Sequence, residues 1–146
     1  LFCACIYAGA WPVPLPLPTT FGGRENYIEQ LGVQLESCDP AILLYPAEIA
    51  EMGEAAAARQ GCRGEAWEDF GLREAPDRPL PKARPEDICY LQYSSGSTRF
   101  PTGVAVTHEA LLHNLYGHAA GVNLGDNDRV VSWLPWYHDM GLVGCF

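Results

Sequence analysis

An α/β fold, with a mostly parallel sheet flanked by helices, follows from three features of the sequence. Short apolar runs at 41–45, 88–93 and 129–134 have the length of strands. Helix-patterned stretches alternate with them, which is the arrangement of βαβ units. The runs are near-continuous in apolar character, as suits strands covered on both faces.

The elements can be justified in order. Leu1 to Ala8 reads as the last turns of a buried helix, closed by Gly9. Pro12, Pro14, Pro16 and Pro18 alternate with Trp11, Val13, Leu15 and Leu17, an extended stretch barred from a central strand position. Arg24 to Leu35 puts Tyr27, Ile28, Leu31 and Leu35 on one helical face. A buried strand is expected at Ala41–Tyr45, and a helix over the alanine-rich stretch 47–60. From Gly61 to Pro85 the pattern gives way to glycine, proline and charge, with Trp67 and Phe70 as the large apolar groups, and reads as a loop or connector. Ile88–Tyr93 is a strand, and Val104 and Val106 begin another. Thr107 is placed to cap a helix whose apolar stripe is Ala110, Leu111, Leu115 and Ala119, closed by Gly121. Arg129–Leu134 is expected to be a buried strand of the same sheet as Ile88–Tyr93, and Asp139 can cap a helix after it.

Composition narrows the function. A chain of 146 residues, 48% hydrophobic and 18% charged, can bury the core of one ordinary domain. A formal charge of −9 with no basic stripe argues against a nucleic-acid surface. It leaves room for a small anionic ligand, which needs only a few aimed N–H groups. The cysteines at 3, 5, 38, 62, 89 and 145 form no zinc-like spacing and fall mostly in apolar segments, so a reduced, cytoplasmic protein is expected. The opening apolar run is too short to span a bilayer and lacks the basic flank of a signal peptide. Leu1 starts inside an apolar run, and Phe146 follows Gly141 to Cys145 without a stop signal. The chain is therefore expected to be a piece of a longer one.

The segment Tyr93-Ser-Ser-Gly-Ser-Thr-Arg-Phe-Pro-Thr-Gly103 leaves a strand with hydroxyl residues and glycines packed into one turn. Glycine lets the backbone approach an anion, successive N–H groups can form a nest, and hydroxyls add rotatable donors. The alternative is a serine-rich surface loop. The pattern is not that of a Walker loop. His108, His113 and His118 share one predicted helix, but their spacing does not converge on a metal. Trp133, Trp136 and Tyr137 suit a pocket wall or core better than a base-stacking platform.

This loop resembles the phosphate loop of the adenylate-forming enzymes. Trp133-Leu-Pro-Trp-Tyr-His-Asp-Met-Gly-Leu142 resembles a block of the fatty acyl-AMP ligases within that superfamily. Tyr7-Ala-Gly-Ala-Trp-Pro-Val-Pro-Leu15 and Asp39-Pro-Ala-Ile-Leu43 are similar to further family segments, and 61–85 resembles it least. The resemblance implies that residues 1–146 are an incomplete large N-terminal domain without the C-terminal lid. Within it, 61–85 would be a loop-rich connector and 86–146 the phosphate-loop and acyl-pocket segment. It implies activation of a fatty acid with ATP and Mg²⁺ to an acyl-adenylate, a reaction this piece alone is not expected to perform. An acyl carrier protein or a polyketide or peptide synthase would be the partner that takes the acyl group. By the same resemblance Ser94, Ser95, Gly96, Ser97, Thr98, Arg99 and Gly103 would hold the ATP phosphates, and His138 would be the catalytic residue at the junction of acyl tunnel and nucleotide. The alternative for His138 is a structural histidine held by Asp139. Arg99 stands where the common pattern has glycine, and Thr102 where it has lysine. Arg99 either replaces the missing cation or points to solvent. Three other activities stay open: an acyl-CoA synthetase, a peptide-synthetase adenylation domain, and a nucleotide-binding module without catalysis.

Overall fold

Helices and strands are mixed along the chain, as an α/β fold requires, and they alternate strictly between residues 24 and 93. The computed structural model describes residues 1–18, 23–70, 77, 79–94 and 102–144. They divide into two units, Leu1–Pro16 with Pro79–Phe146, and Leu17–Arg78.

In the second unit, helix α2 (Arg24–Cys38) follows a short helix α1 (Phe2–Tyr7) that belongs to the first unit. Strand β1 (Ile42–Tyr45) leads through a 3₁₀ turn at Ala47–Ile49 into α3 (Ala50–Gln60). Strand β2 (Arg63–Ala66) then returns parallel to β1, pairing Ile42 with Arg63 and Tyr45 with Ala66. This is a βαβ unit. Gly61 ends α3 at φ 77°, and Cys62 N–H reaches back to Ala57 O at 3.1 Å, the bond that closes a helix on a left-handed residue. Tyr45 is buried over α3 and β2, where Gly53 and Gly64 leave room for its ring: a Cβ on Gly53 would fall inside it. Ala56 and Ala57 form the buried face of α3, and Leu31 and Leu35 that of α2. A single helical turn α4 (Trp67–Phe70) follows β2.

The first unit is built on strands β3 (Ile88–Tyr93) and β4 (Gly103–Thr107), which pair antiparallel, Tyr90 opposite Val106 and Tyr93 opposite Gly103. Cys89 and Tyr90 of β3 and Leu142 of a short helix α6 (Asp139–Leu142) make its buried cluster, with Phe2, Ile6, Val106, Leu111 and Val143 packed around it. Phe2 meets Tyr90 edge-on, ring centroids 5.6 Å apart. Helix α1 ends on Gly9 at φ 74°, with Ala10 N–H bonded to Cys5 O, and the proline stretch then passes beside β3, where Pro12 O accepts Leu91 N–H at 3.1 Å. Helix α5 (His108–Gly121) starts on Thr107, whose hydroxyl accepts Ala110 N–H at 3.1 Å. Two more of its first N–H groups find carbonyls in the preceding turn: His108 bonds to Asp87 O and Glu109 to Pro85 O. Arg84 clamps that turn, its guanidinium 2.9 Å from Asp87 Oδ1 and its own N–H 2.9 Å from Oδ2.

Several expectations need correction. Of the two described strand pairs only β1–β2 is parallel, because β3 and β4 are joined by fewer residues than the dozen or so a parallel crossover needs. Segment 61–85, read as a connector, contains β2 and α4: pairing with β1 makes a strand of residues with little apolar signal. Arg129–Leu134 is not a strand. No described strand pairs with it, Val131 is 97% exposed and Trp133 90%, and Leu134 N–H bonds locally to Ser132 Oγ. Without a neighbour to take its N–H and C=O groups, an apolar run has no ladder to join. Helix α1 has no fully buried residue. Helix α5 is closed by Asn123 at φ 54° rather than by Gly121, with Leu124 N–H on Ala119 O. His138, not Asp139, occupies the N-cap of α6.

Candidate functional site

The hydroxyl-rich loop is the connection of the β3–β4 hairpin. Its neck is drawn together by the Tyr93–Gly103 pair and, one step further out, by Ser94 N–H donating to Thr102 O at 3.0 Å. Gly103 lies under the Tyr93 ring, with a would-be Cβ 3.2 Å from its edge, so glycine here serves strand packing whatever else it does. Ser94 and Thr102 are exposed. Ser95, Gly96, Ser97, Thr98 and Arg99 lie outside the described residues. The neck fixes both ends of the loop.

Gln92, two residues before Ser94, was not singled out by the sequence reading. It is 7% exposed, and its side-chain nitrogen has no partner among the described residues. A glutamine inside an apolar strand was the available signal, since buried amides are normally paired.

His138 sits on a turn that Pro135 O closes by accepting His138 N–H at 3.1 Å. Its carbonyl accepts Gly141 N–H and Leu142 N–H, so the residue opens α6. Its ring Nδ1 is 2.6 Å from Asp139 Oδ1, and the side chain is 39% exposed. Met140 N–H lies 2.7 Å from the same carboxylate oxygen and 3.3 Å from Nδ1. Helix α6 is anchored on β3 by Leu142 against Cys89 and Tyr90. The strand that carries the loop and the helix that carries His138 thus share one cluster. No hydrogen bond joins His138 to Ser94, Thr102 or Gly103 among the described residues.

Burial pushes the Tyr90 hydroxyl up in pKa, with Cys89 and Asp139 adding to the shift. Burial likewise raises the Cys89 thiol, which marks it as a core residue rather than a nucleophile. His108, His113 and His118 all lie on α5, and His113 stands 3.8 Å from Glu109. Among the described residues no group of three or more His, Cys, Asp or Glu is placed to hold a metal. Trp133, Trp136 and Tyr137 are exposed, so the core alternative for them does not hold within this chain.

The whole chain, residues 1–146, matches the AMP-binding enzyme family, and it belongs to that family. A Caulobacter vibrioides protein that carries the name acyl-CoA synthetase is 47% identical over 149 residues, covering 98% of this chain and 25% of its own. The long-chain-fatty-acid–AMP ligase FadD32 of Mycolicibacterium smegmatis is 35% identical over 160 residues, covering 97% of this chain and 23% of its own. A solved structure from work on fatty acyl-adenylate ligases of E. coli and L. pneumophila superposes with a TM-score of 0.90 at 41% identity, covering 98% of this chain and 26% of that one. The chain therefore spans about a quarter of the length of the relatives it matches.

Proposed function

We propose that the protein to which this chain belongs activates a fatty acid with ATP, releasing pyrophosphate and forming an acyl-adenylate. The observation that carries the reading is the hairpin neck of Ser94 and Thr102, which frames a hydroxyl- and glycine-rich loop in a chain of the AMP-binding family. Likeness to a fatty acid–AMP ligase and to fatty acyl-adenylate ligase structures supports the fatty acid as substrate.

In this reading Ser94, Ser95, Gly96, Ser97, Thr98 and Gly103 would receive the phosphates through N–H and hydroxyl donors, and Arg99 would supply the cation absent at Thr102. Bound Mg²⁺-ATP supplies the electrophilic α-phosphorus. The chain's own part is positioning and neutralisation of charge, where charge-assisted contacts act most strongly. His138 would face the acyl group. The 146 residues alone would be inactive, since a quarter of the relatives' length leaves no closed, water-excluding site. A carrier protein or a polyketide or peptide synthase would take the acyl group. A cytoplasmic setting fits a chain in which, among the described residues, no helix is long and apolar enough to cross a membrane.

The name carried by the Caulobacter relative favours a second reading, transfer of the acyl group to coenzyme A. One experiment tests both. The complete gene product is incubated with Mg²⁺-ATP and a fatty acid series, with and without coenzyme A, and products are separated by mass. Acyl-AMP that persists when coenzyme A is present supports the ligase. Acyl-CoA supports the second reading, and the absence of both products refutes the two.

A further inference from the structure

Gln92 is a buried amide to which the reading above gives no role. It is 7% exposed, and its Nε2 has no hydrogen-bond partner among the described residues. Burial has taken water from that donor and returned nothing, a state that native cores seldom keep. Leucine or methionine would fill much the same space without the loss.

Successive residues of a strand face opposite sides, so Gln92 shares a face with Tyr90 and with Val106 and Val104, the residues opposite them on β4. Tyr90 and Val106 belong to the cluster that holds Leu142 of α6, the helix that His138 opens. Two residues the other way, about 6–7 Å along the strand, Ser94 ties the neck of the hydroxyl-rich loop. Val104, opposite Gln92, is 48% exposed. The amide thus lies between the anchor of the His138 helix and the loop, where a packed face becomes an open one. An uncharged donor can stay unpaired there at far lower cost than a lysine, which would need a counter-ion.

We propose that Gln92 is a substrate-binding residue whose amide is unpaired in the empty protein and donates from Nε2 to an anionic oxygen when the site fills. This rests on the acyl-adenylate reading above, which brings two kinds of such oxygen to the site, phosphate on the nucleotide and carboxylate on the fatty acid. Either accepts from a neutral donor through a charge-assisted bond, and the side chain turns about its own torsions to make it. No protein contact is broken to form that bond. Removing the amide should therefore weaken binding without weakening the empty fold.

The test compares the complete gene product as wild type, Gln92→Met and Gln92→Leu. Thermal midpoints are taken without ligand. Calorimetry then gives Kd for ATP alone and for dodecanoate alone, so that no adenylate forms. Without ligand, the better-packed variant should melt at or above the wild type. In that variant Kd should rise about tenfold for one ligand and stay within about twofold for the other. A rise for ATP assigns the acceptor to phosphate, and a rise for dodecanoate assigns it to the carboxylate.

If both variants melt below the wild type, or neither folds, the inference is overturned, because the amide then has a partner in the empty protein. An unchanged Kd for every ligand that the wild type binds overturns it too. So does an equal rise for both ligands, which marks general damage to the site. A wild type that binds neither ATP nor dodecanoate refutes the proposed function itself, and the inference with it.

Discussion

Gly141 lies against the carbonyl oxygen of Pro135, so close that no side chain fits between them. The contact seats the first turn of α6 on the backbone that leads into it, and Leu142, the next residue, enters the cluster with Tyr90. Gly141→Ala should therefore push α6 away from the 134–135 backbone. The expected loss is about 1–3 kcal/mol, as for overpacking elsewhere, read as a lower urea midpoint with an unchanged slope. An unchanged midpoint would mean that the turn yields freely.

Thr107 caps α5 through its hydroxyl, while Asp87 and Pro85 supply carbonyls to the two N–H groups before Ala110. Removing the cap in Thr107→Ala should lower stability by about 1 kcal/mol, and Thr107→Ser should recover most of it. Thermal unfolding of the three proteins side by side gives the comparison. Equal midpoints would show that water replaces the hydroxyl without loss.

The Arg84–Asp87 clamp makes a prediction about pH. Hydrogen bonds from the Arg84 guanidinium and N–H hold the Asp87 carboxyl below its ordinary value of 3.8, with His108 adding a smaller effect. A folded-state pKa below the unfolded one gives stability that is present above 3.8 and lost as pH falls through the lowered value. The pair is exposed, so salt will screen the effect. Asp87→Asn should flatten the acid side of the stability curve and leave the alkaline side alone. An acid limb identical to that of the wild type counts against the clamp.

Arg99 is tested by kinetics in the complete gene product. If it supplies the cation that Thr102 does not, Arg99→Ala should raise the KM for ATP about tenfold and leave that for the fatty acid nearly unchanged. Thr102→Lys should partly restore the double variant. Unaltered ATP kinetics in Arg99→Ala would leave that residue a solvated surface charge.

How much of this was legible depends on where each element gets its stability. Strand β3 and helix α5 declare themselves locally, β3 by its apolar run and α5 by Thr107 and the half-buried positions Leu111, Leu115 and Ala119. Strand β2 does not. Its Arg63, Gly64 and Glu65 carry no apolar signal, and the strand exists because β1 offers a ladder and Gly64 lets Tyr45 and Ala57 close over it. Segment 129–134 is the reverse case, with an apolar run but no pairing strand among the described residues. The antiparallel pairing of β3 and β4 was readable from the short distance between them along the chain, a cue that outranks their apolar character. The hydroxyl-rich loop and His138 stood out as residues. The approach of Asp139 to His138 was one of the two readings of that histidine, but two adjacent polar residues in sequence say nothing about which nitrogen meets which oxygen.

The hairpin neck separates two kinds of change that the loop can undergo. Ser94 and Thr102 are tied across it, and behind them Tyr93, Gln92, Leu91 and Tyr90 are each committed to one opposite residue on β4. A letter changed between 94 and 102 leaves those commitments intact, as the unusual arginine and threonine there illustrate. A letter added or removed does not: if it slipped the pairing by one, Tyr90 and Gln92 would lose their side of the sheet. The length of this loop is therefore held by the strands whatever its residues do, and an alignment of this family should show no gaps there.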